Sequence, residues 1–224
     1  MLIEKVRPNL NFFQSIPSVF FSIIIVVSIF MLFLPKILKM GWESKYFGIS
    51  SIYLGSISFF GIVPCFCIFL YGKNSVIVGS SFIIFYLGLI VYWCRRFVMV
   101  YKKIFQDSNL IGKIYQEDDD LFYYLQKGDK WVVEKKLNFN QIPHGRYFMI
   151  SILCAFILFL FPRDVSIFFG LPCIYIFFAV INIPITMMVL GLATRGWLIF
   201  YYYPHKIYAS SGKRVFVDMT TAPS

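Results

Sequence analysis

VSIFFGLPCIYIFFAVINIPITMMVLGLAT, from Val165 to Thr194, is a run of 30 residues without one charged side chain. As a single α-helix it would measure about 45 Å, against a bilayer hydrocarbon core of about 30 Å. A soluble core helix has no use for such a run; a membrane span does, with length left over for tilt or a bend. Asp164 precedes the run and Arg195 closes it. Pro172 and Pro184 stand inside it, with Asn182 between them. Each proline removes a backbone hydrogen bond, and Asn182 or Thr186 can satisfy freed groups near Pro184. Pro172, Asn182 and Pro184 are therefore expected to mark a helix bend. A broken helix can form a transport site; a plain kink in an over-long helix accounts for the same residues.

Four more stretches of this kind lie upstream. They place further spans at about 17–34, 52–71, 76–94 and 147–161, beside 165–194. Hydrophobic residues make up 59% of the 224 and charged residues 14%, where a soluble domain carries about a quarter charged. Too few charges remain to coat a water-facing surface. The expected fold is an all-α polytopic membrane protein of about five transmembrane helices, with a small mixed cytoplasmic insertion. A four-span variant has residues 17–34 re-entrant or in-plane. The first span lacks an Ala-x-Ala site and is too long for a signal peptide, so it is expected to stay in the mature protein.

The expected organisation is a transmembrane region over 1–94, a basic insertion over 95–146, a transmembrane hairpin over 147–203 and a tail over 204–224. With five spans, Lys5, Arg7, Lys73 and Arg163 fall on one side, and the other Lys and Arg residues of the 21 fall on the opposite side. Positive charge accumulates on the cytoplasmic side. The insertion and tail are thus expected in the cytoplasm, in a bacterial inner membrane. The net charge of +10 is read the same way. No aromatic–basic single-strand motif is present, so no nucleic-acid partner is expected.

Gly48, Ser51, Gly55 and Ser58 recur every three or four residues, a stripe that lets helix backbones approach closely in lipid. They are expected to pack against a helix of this chain or of a partner. Arg95, Arg96, Lys102 and Lys103 share a helix face suited to anionic head groups. Trp197, Tyr201, Tyr202 and Tyr203 form an interfacial belt, and Pro204 is expected to end that helix. Within the insertion, Glu117-Asp118-Asp119-Asp120 before an apolar run predicts a helix start. Gly128-Asp129 reads as a turn, Trp131-Val132-Val133 as a short strand and Val215-Phe216-Val217 as another.

Catalytic chemistry is hard to find. His144 and His205 are isolated, and no Cys-x-x-Cys, His-x-x-x-His, Gly-x-Ser-x-Gly, Walker or Gly-x-Gly-x-x-Gly motif occurs. Cys65, Cys67, Cys94, Cys154 and Cys173 lie in or beside the spans and read as small apolar side chains. The spans carry no ionisable Asp, Glu, Lys, Arg or His, which disfavours proton-coupled transport. No enzyme activity, cofactor or metal is expected. The leading expectation is a non-enzymatic inner-membrane subunit or accessory factor of a bacterial envelope assembly of secretion, conjugation or pilus type. Its partners would be membrane lipids and other membrane-protein subunits. An immunity protein against a pore-forming toxin, or a small transporter or channel for a neutral or apolar solute, is the alternative.

Overall fold

The structure, a computed structural model, describes residues 16–37, 43–57, 61–72, 75–139 and 145–217. The chain is predominantly α-helical. Helices α1 (Ile16–Ile37), α2 (Ser44–Ile57) and α3 (Val63–Tyr71) come first. A π turn, Ser75–Gly79, leads into α4 (Ser80–Ile104) and then α5 (Ser108–Ile114). Strands β1 (Tyr115–Glu117) and β2 (Leu121–Tyr124) precede α6 (Gln126–Lys130), which runs into a π segment, Trp131–Lys136. Helices α7 (Gly145–Leu160), α8 (Pro162–Phe169) and α9 (Cys173–Trp197) follow. A third π turn, Leu198–Tyr202, joins α9 to α10 (Tyr203–Ser211), and β3 (Arg214–Val217) closes the described chain.

Two helical stretches are long and apolar enough to cross a membrane, Ile77–Ile104 and Cys173–Ser211. The pair α7 and α8 counts as a third only if taken as one span, and it is bent by 91°. Among the described residues, the expected five uninterrupted spans are not all present. The expected 52–71 span is divided between α2 and α3. Pro64 sits in the first turn of α3, where a missing N–H costs nothing, rather than in a helix interior, where it breaks the ladder.

The expected 165–194 helix is also divided. Gly170 adopts the left-handed conformation, with φ +66°, and Pro172 follows two residues later. A left-handed glycine ends a helix by redirecting the chain, and a proline shortly after prevents its resumption. Pro172 therefore precedes α9, and of the three bend residues only Asn182 and Pro184 lie within that helix. Pro204 does not end the last helix as expected. It falls in the first turn of α10 after the π turn, a position that requires no N–H from it.

The described residues form two compact units, each assembled from three segments: those within 1–29, 56–92 and 143–189, and those within 30–55, 93–142 and 190–224. The first unit has a core of Ile62, Cys65, Cys67, Ile68, Tyr86 and Ala179 with their neighbours. The hydroxyl of Tyr86 donates to the Ala179 carbonyl at 2.8 Å, tying α4 to α9. Gly79 lies directly against the Phe69 backbone, where a Cβ has no room. α4 and α7 expose large apolar side chains, among them Ile84, Val91, Ile150 and Phe156.

The second unit is built on a small sheet ordered β1-β2-β3. β1 and β2 are antiparallel, with Tyr115 opposite Tyr124; β2 and β3 are parallel, with Phe122 beside Val215. Residues Asp118 to Leu121 make the hairpin turn, closed by an Asp118 N–H to Leu121 carbonyl bond of 2.8 Å. The acidic run thus starts no helix. Aspartates favour turns because their side chains bond nearby backbone, as Asp118 does to the Asp119 N–H at 2.9 Å. The apolar run after it is only strand-length. The expected strand at Trp131–Val133 is instead the π segment, with Val132 and Val133 buried and Glu134 to Lys136 exposed. Val215–Val217 is strand, within β3.

Candidate functional site

The second unit is organised around one buried carboxylate. Asp129 lies in α6 and has 0% side-chain exposure. A carboxylate removed from water requires compensating donors. Four reach it from three other elements. Tyr101 on α4 donates to Oδ1 at 3.1 Å. Tyr124 on β2 donates to Oδ2 at 3.0 Å. Arg195 on α9 donates to the same Oδ2 from Nε at 3.1 Å and from Nη2 at 2.5 Å. Arg195 keeps 21% side-chain exposure. Both carboxylate oxygens are engaged, Oδ1 by one donor and Oδ2 by three.

Local sequence explains the convergence. Gly128, read as a turn residue, is a close-approach residue instead: a Cβ there would run into the Lys113 carbonyl of α5. Its absence lets α6 sit against α5 and carries Asp129 inward. Burial, reinforced by the Asp129 charge, holds the Tyr124 hydroxyl well above its ordinary range. Burial also raises Tyr115, with Tyr124 and Asp129 adding to the effect. The Tyr115 hydroxyl donates to the Ile199 carbonyl at 2.5 Å. That carbonyl lies in the π turn after α9, where the regular helical ladder is interrupted. Phe105 stacks flat on Tyr203 next to it, with centroids 3.4 Å apart.

The small-residue stripe lies against the same end of α9. A Cβ on Gly48 would stand 2.6 Å from the Tyr201 Cβ and 3.0 Å from its backbone nitrogen. A Cβ on Gly55 would stand 3.4 Å from the Ala193 Cβ, and one on Gly196 2.6 Å from the Ser51 Cβ. Ser51 donates to the Gly48 carbonyl at 2.6 Å, which satisfies its hydroxyl within α2. Ser58 falls outside the described residues. Gly48, Ser51 and Gly55, the described members of the stripe, thus lie against α9 and the π turn that follows it.

The interfacial residues separate. Arg95, Lys102 and Lys103 are exposed. Arg96 instead covers two aromatic rings, its guanidinium 5.3 Å from the Trp93 centroid and 5.2 Å from that of Phe139. Tyr201 and Tyr202 are exposed, Trp197 is half-buried and Tyr203 is buried. Asn182 is half-buried and Pro184 buried in α9, while Pro172 stands in the preceding connection. The five cysteines are free thiols. Among the described residues no three His, Cys, Asp or Glu side chains gather as a metal site. His205 is exposed, and His144 lies outside the described residues.

None of the four members of the network is marked by a motif: Asp129 stands in a turn-like Gly-Asp pair and Arg195 at the end of an apolar run. One signal was available: Arg195 follows 30 uncharged residues on a helix otherwise made for lipid, and a charge in such a place requires a partner. No family model, curated protein or solved structure matches the chain.

Proposed function

We propose that this protein is a non-enzymatic integral membrane subunit or accessory factor of a larger bacterial envelope assembly, of secretion, conjugation or pilus type. It resides in the inner membrane, with residues 95–146 and the tail in the cytoplasm. Its remaining apolar helices complete about five membrane crossings. The observation that supports this reading most is the saturation of Asp129. A catalytic acid or base must be within hydrogen-bond reach of a reacting proton. Asp129 is instead consumed by four internal donors that join α4, β2, α6 and α9. Such a network rigidifies a unit and specifies one arrangement of its elements, which suits a docking module.

The test is extraction from native membranes in mild detergent, followed by native-gel sizing and mass spectrometry of co-migrating chains. Migration in a large assembly with defined partners is expected. Migration alone, or as a small homo-oligomer, sinks the reading.

A further inference from the structure

One face of the second unit carries a tryptophan that its core does not use. Trp131 is 40% exposed, while the adjacent Val132 and Val133 are fully buried. The valines anchor the segment and leave the indole outside. Lys113 on α5 places its ammonium 4.1 Å from the Trp131 ring centroid. Lys127 and Lys135 lie four residues to either side of Trp131, one turn away, and Lys130 adjoins it. All four lysines are exposed. Lys127, Lys130 and Lys135 make no ion pair with any described residue. Asp129, the acid nearest Trp131 in sequence, is buried and already paired with Arg195. An exposed indole is thus ringed by positive charge, with Glu134 the one exposed acid in α6 and its π segment.

Two classes of occupant carry complementary charge, an anionic lipid surface and an acidic protein. The residue types separate them. Protein interfaces enrich Arg and deplete Lys, because the planar guanidinium holds carboxylates in a fixed fork. Every cation around Trp131 is a lysine. An ammonium is a hydrated point charge on a flexible stem, suited to phosphates in a wet, fluid plane. Tryptophan is the side chain that settles at head-group level, with its apolar body inward and its N–H toward water. We propose that the face formed by Lys113, Lys127, Lys130, Trp131 and Lys135 docks on anionic phospholipid head groups. The lysines meet the phosphates and the indole enters the interfacial layer. This docking does not depend on the subunit function proposed above.

The experiment is hydrogen exchange on the full-length protein in nanodiscs, of phosphatidylcholine alone or with phosphatidylglycerol added. In the anionic discs, backbone exchange over 126–136 is expected to slow by about fivefold, the attraction of roughly one lysine near an anionic surface. The slowing is expected to vanish in about 1 M salt, where screening falls to about 3 Å. It is also expected to vanish in the K127Q/K130Q/K135Q variant, while exchange in β2 stays unchanged and reports an intact fold. If that variant loses β2 protection, the salt series on the native chain decides. Equal exchange in both disc compositions overturns the proposal. So does slowing that appears only when membrane-extract proteins are added, because an acidic partner then occupies the face.

Discussion

Asp129 and Arg195 form a buried pair in which single and double substitutions have different consequences. Replacing one partner of a buried ion pair leaves the other charge uncompensated, at a cost of about 3–5 kcal/mol. Replacing both by apolar residues of similar volume is often neutral. Asp129→Leu is therefore expected to lower the thermal midpoint in detergent sharply, and Asp129→Leu with Arg195→Met to recover most of the loss. A double variant as unstable as the sum of its parts would show that the pair contributes no coupling. The neighbouring tyrosines define a pH range. Burial raises Tyr115 and Tyr124, so each keeps its proton in the folded state after the unfolded chain has begun to release it near pH 10. The folded state then binds more protons, and stability falls with rising pH. Their contribution is constant below about pH 10 and is lost progressively above it. A melting series is expected to show that alkaline fall, with the slope reduced in Tyr115→Phe. An unchanged slope in that variant would place its cause elsewhere.

At the scale of the element, α2 illustrates how a repeat of small residues acquires a partner. Gly48 faces the Tyr201 backbone at a distance that admits no methyl group, whereas Gly55 has ordinary clearance from Ala193. Gly48→Ala is expected to cost about 1–3 kcal/mol through overpacking. Gly55→Ala is expected to be tolerated and to gain a few tenths of a kcal/mol from helix propensity. Thermal melting of the two variants ranks the contacts, and equal effects would dissociate the stripe from α9. Gly170 governs a different element. Its φ of +66° joins α8 to the connection before α9, and an L side chain in that region costs roughly 1–2 kcal/mol. Gly170→Ala is expected to destabilise the fold by roughly that amount, read as a lower thermal midpoint. A neutral result would mean that the α8–α9 connection relaxes without strain. The π turn at Leu198–Tyr202 has no such sequence marker. Its Ile199 carbonyl accepts the Tyr115 hydroxyl, a contact between residues 84 positions apart, and the Phe105–Tyr203 stack lies just beyond it.

At the scale of the whole molecule, the positive-inside distribution predicts that a reporter fused to the C-terminus is active on the cytoplasmic side; periplasmic activity would reverse the charge argument. Membrane character was legible in composition, because hydropathy summed over 20 or so residues depends on no contact. The close-packing role open to Gly48, Ser51 and Gly55 was legible for the same reason: a spacing of three or four is a property of one helix. The division of the longest apolar run at Gly170 was less so, since Pro172 was visible but a left-handed glycine is known only by its backbone angle. The acidic hairpin turn and the π segment at Trp131 depart from local propensity, which is overruled by sheet pairing and by the burial of Val132 and Val133. Hydropathy and spacing mark two helices apolar enough for a membrane and a set of small residues that can approach a neighbour closely. That Asp129, in a run of lysines, pairs with Arg195, 66 residues away, emerges only from the packed fold. Desolvation of a charge is a property of all the elements that surround it, and Tyr101, Tyr124 and Arg195 reach Asp129 only once α4, β2, α6 and α9 have closed over it.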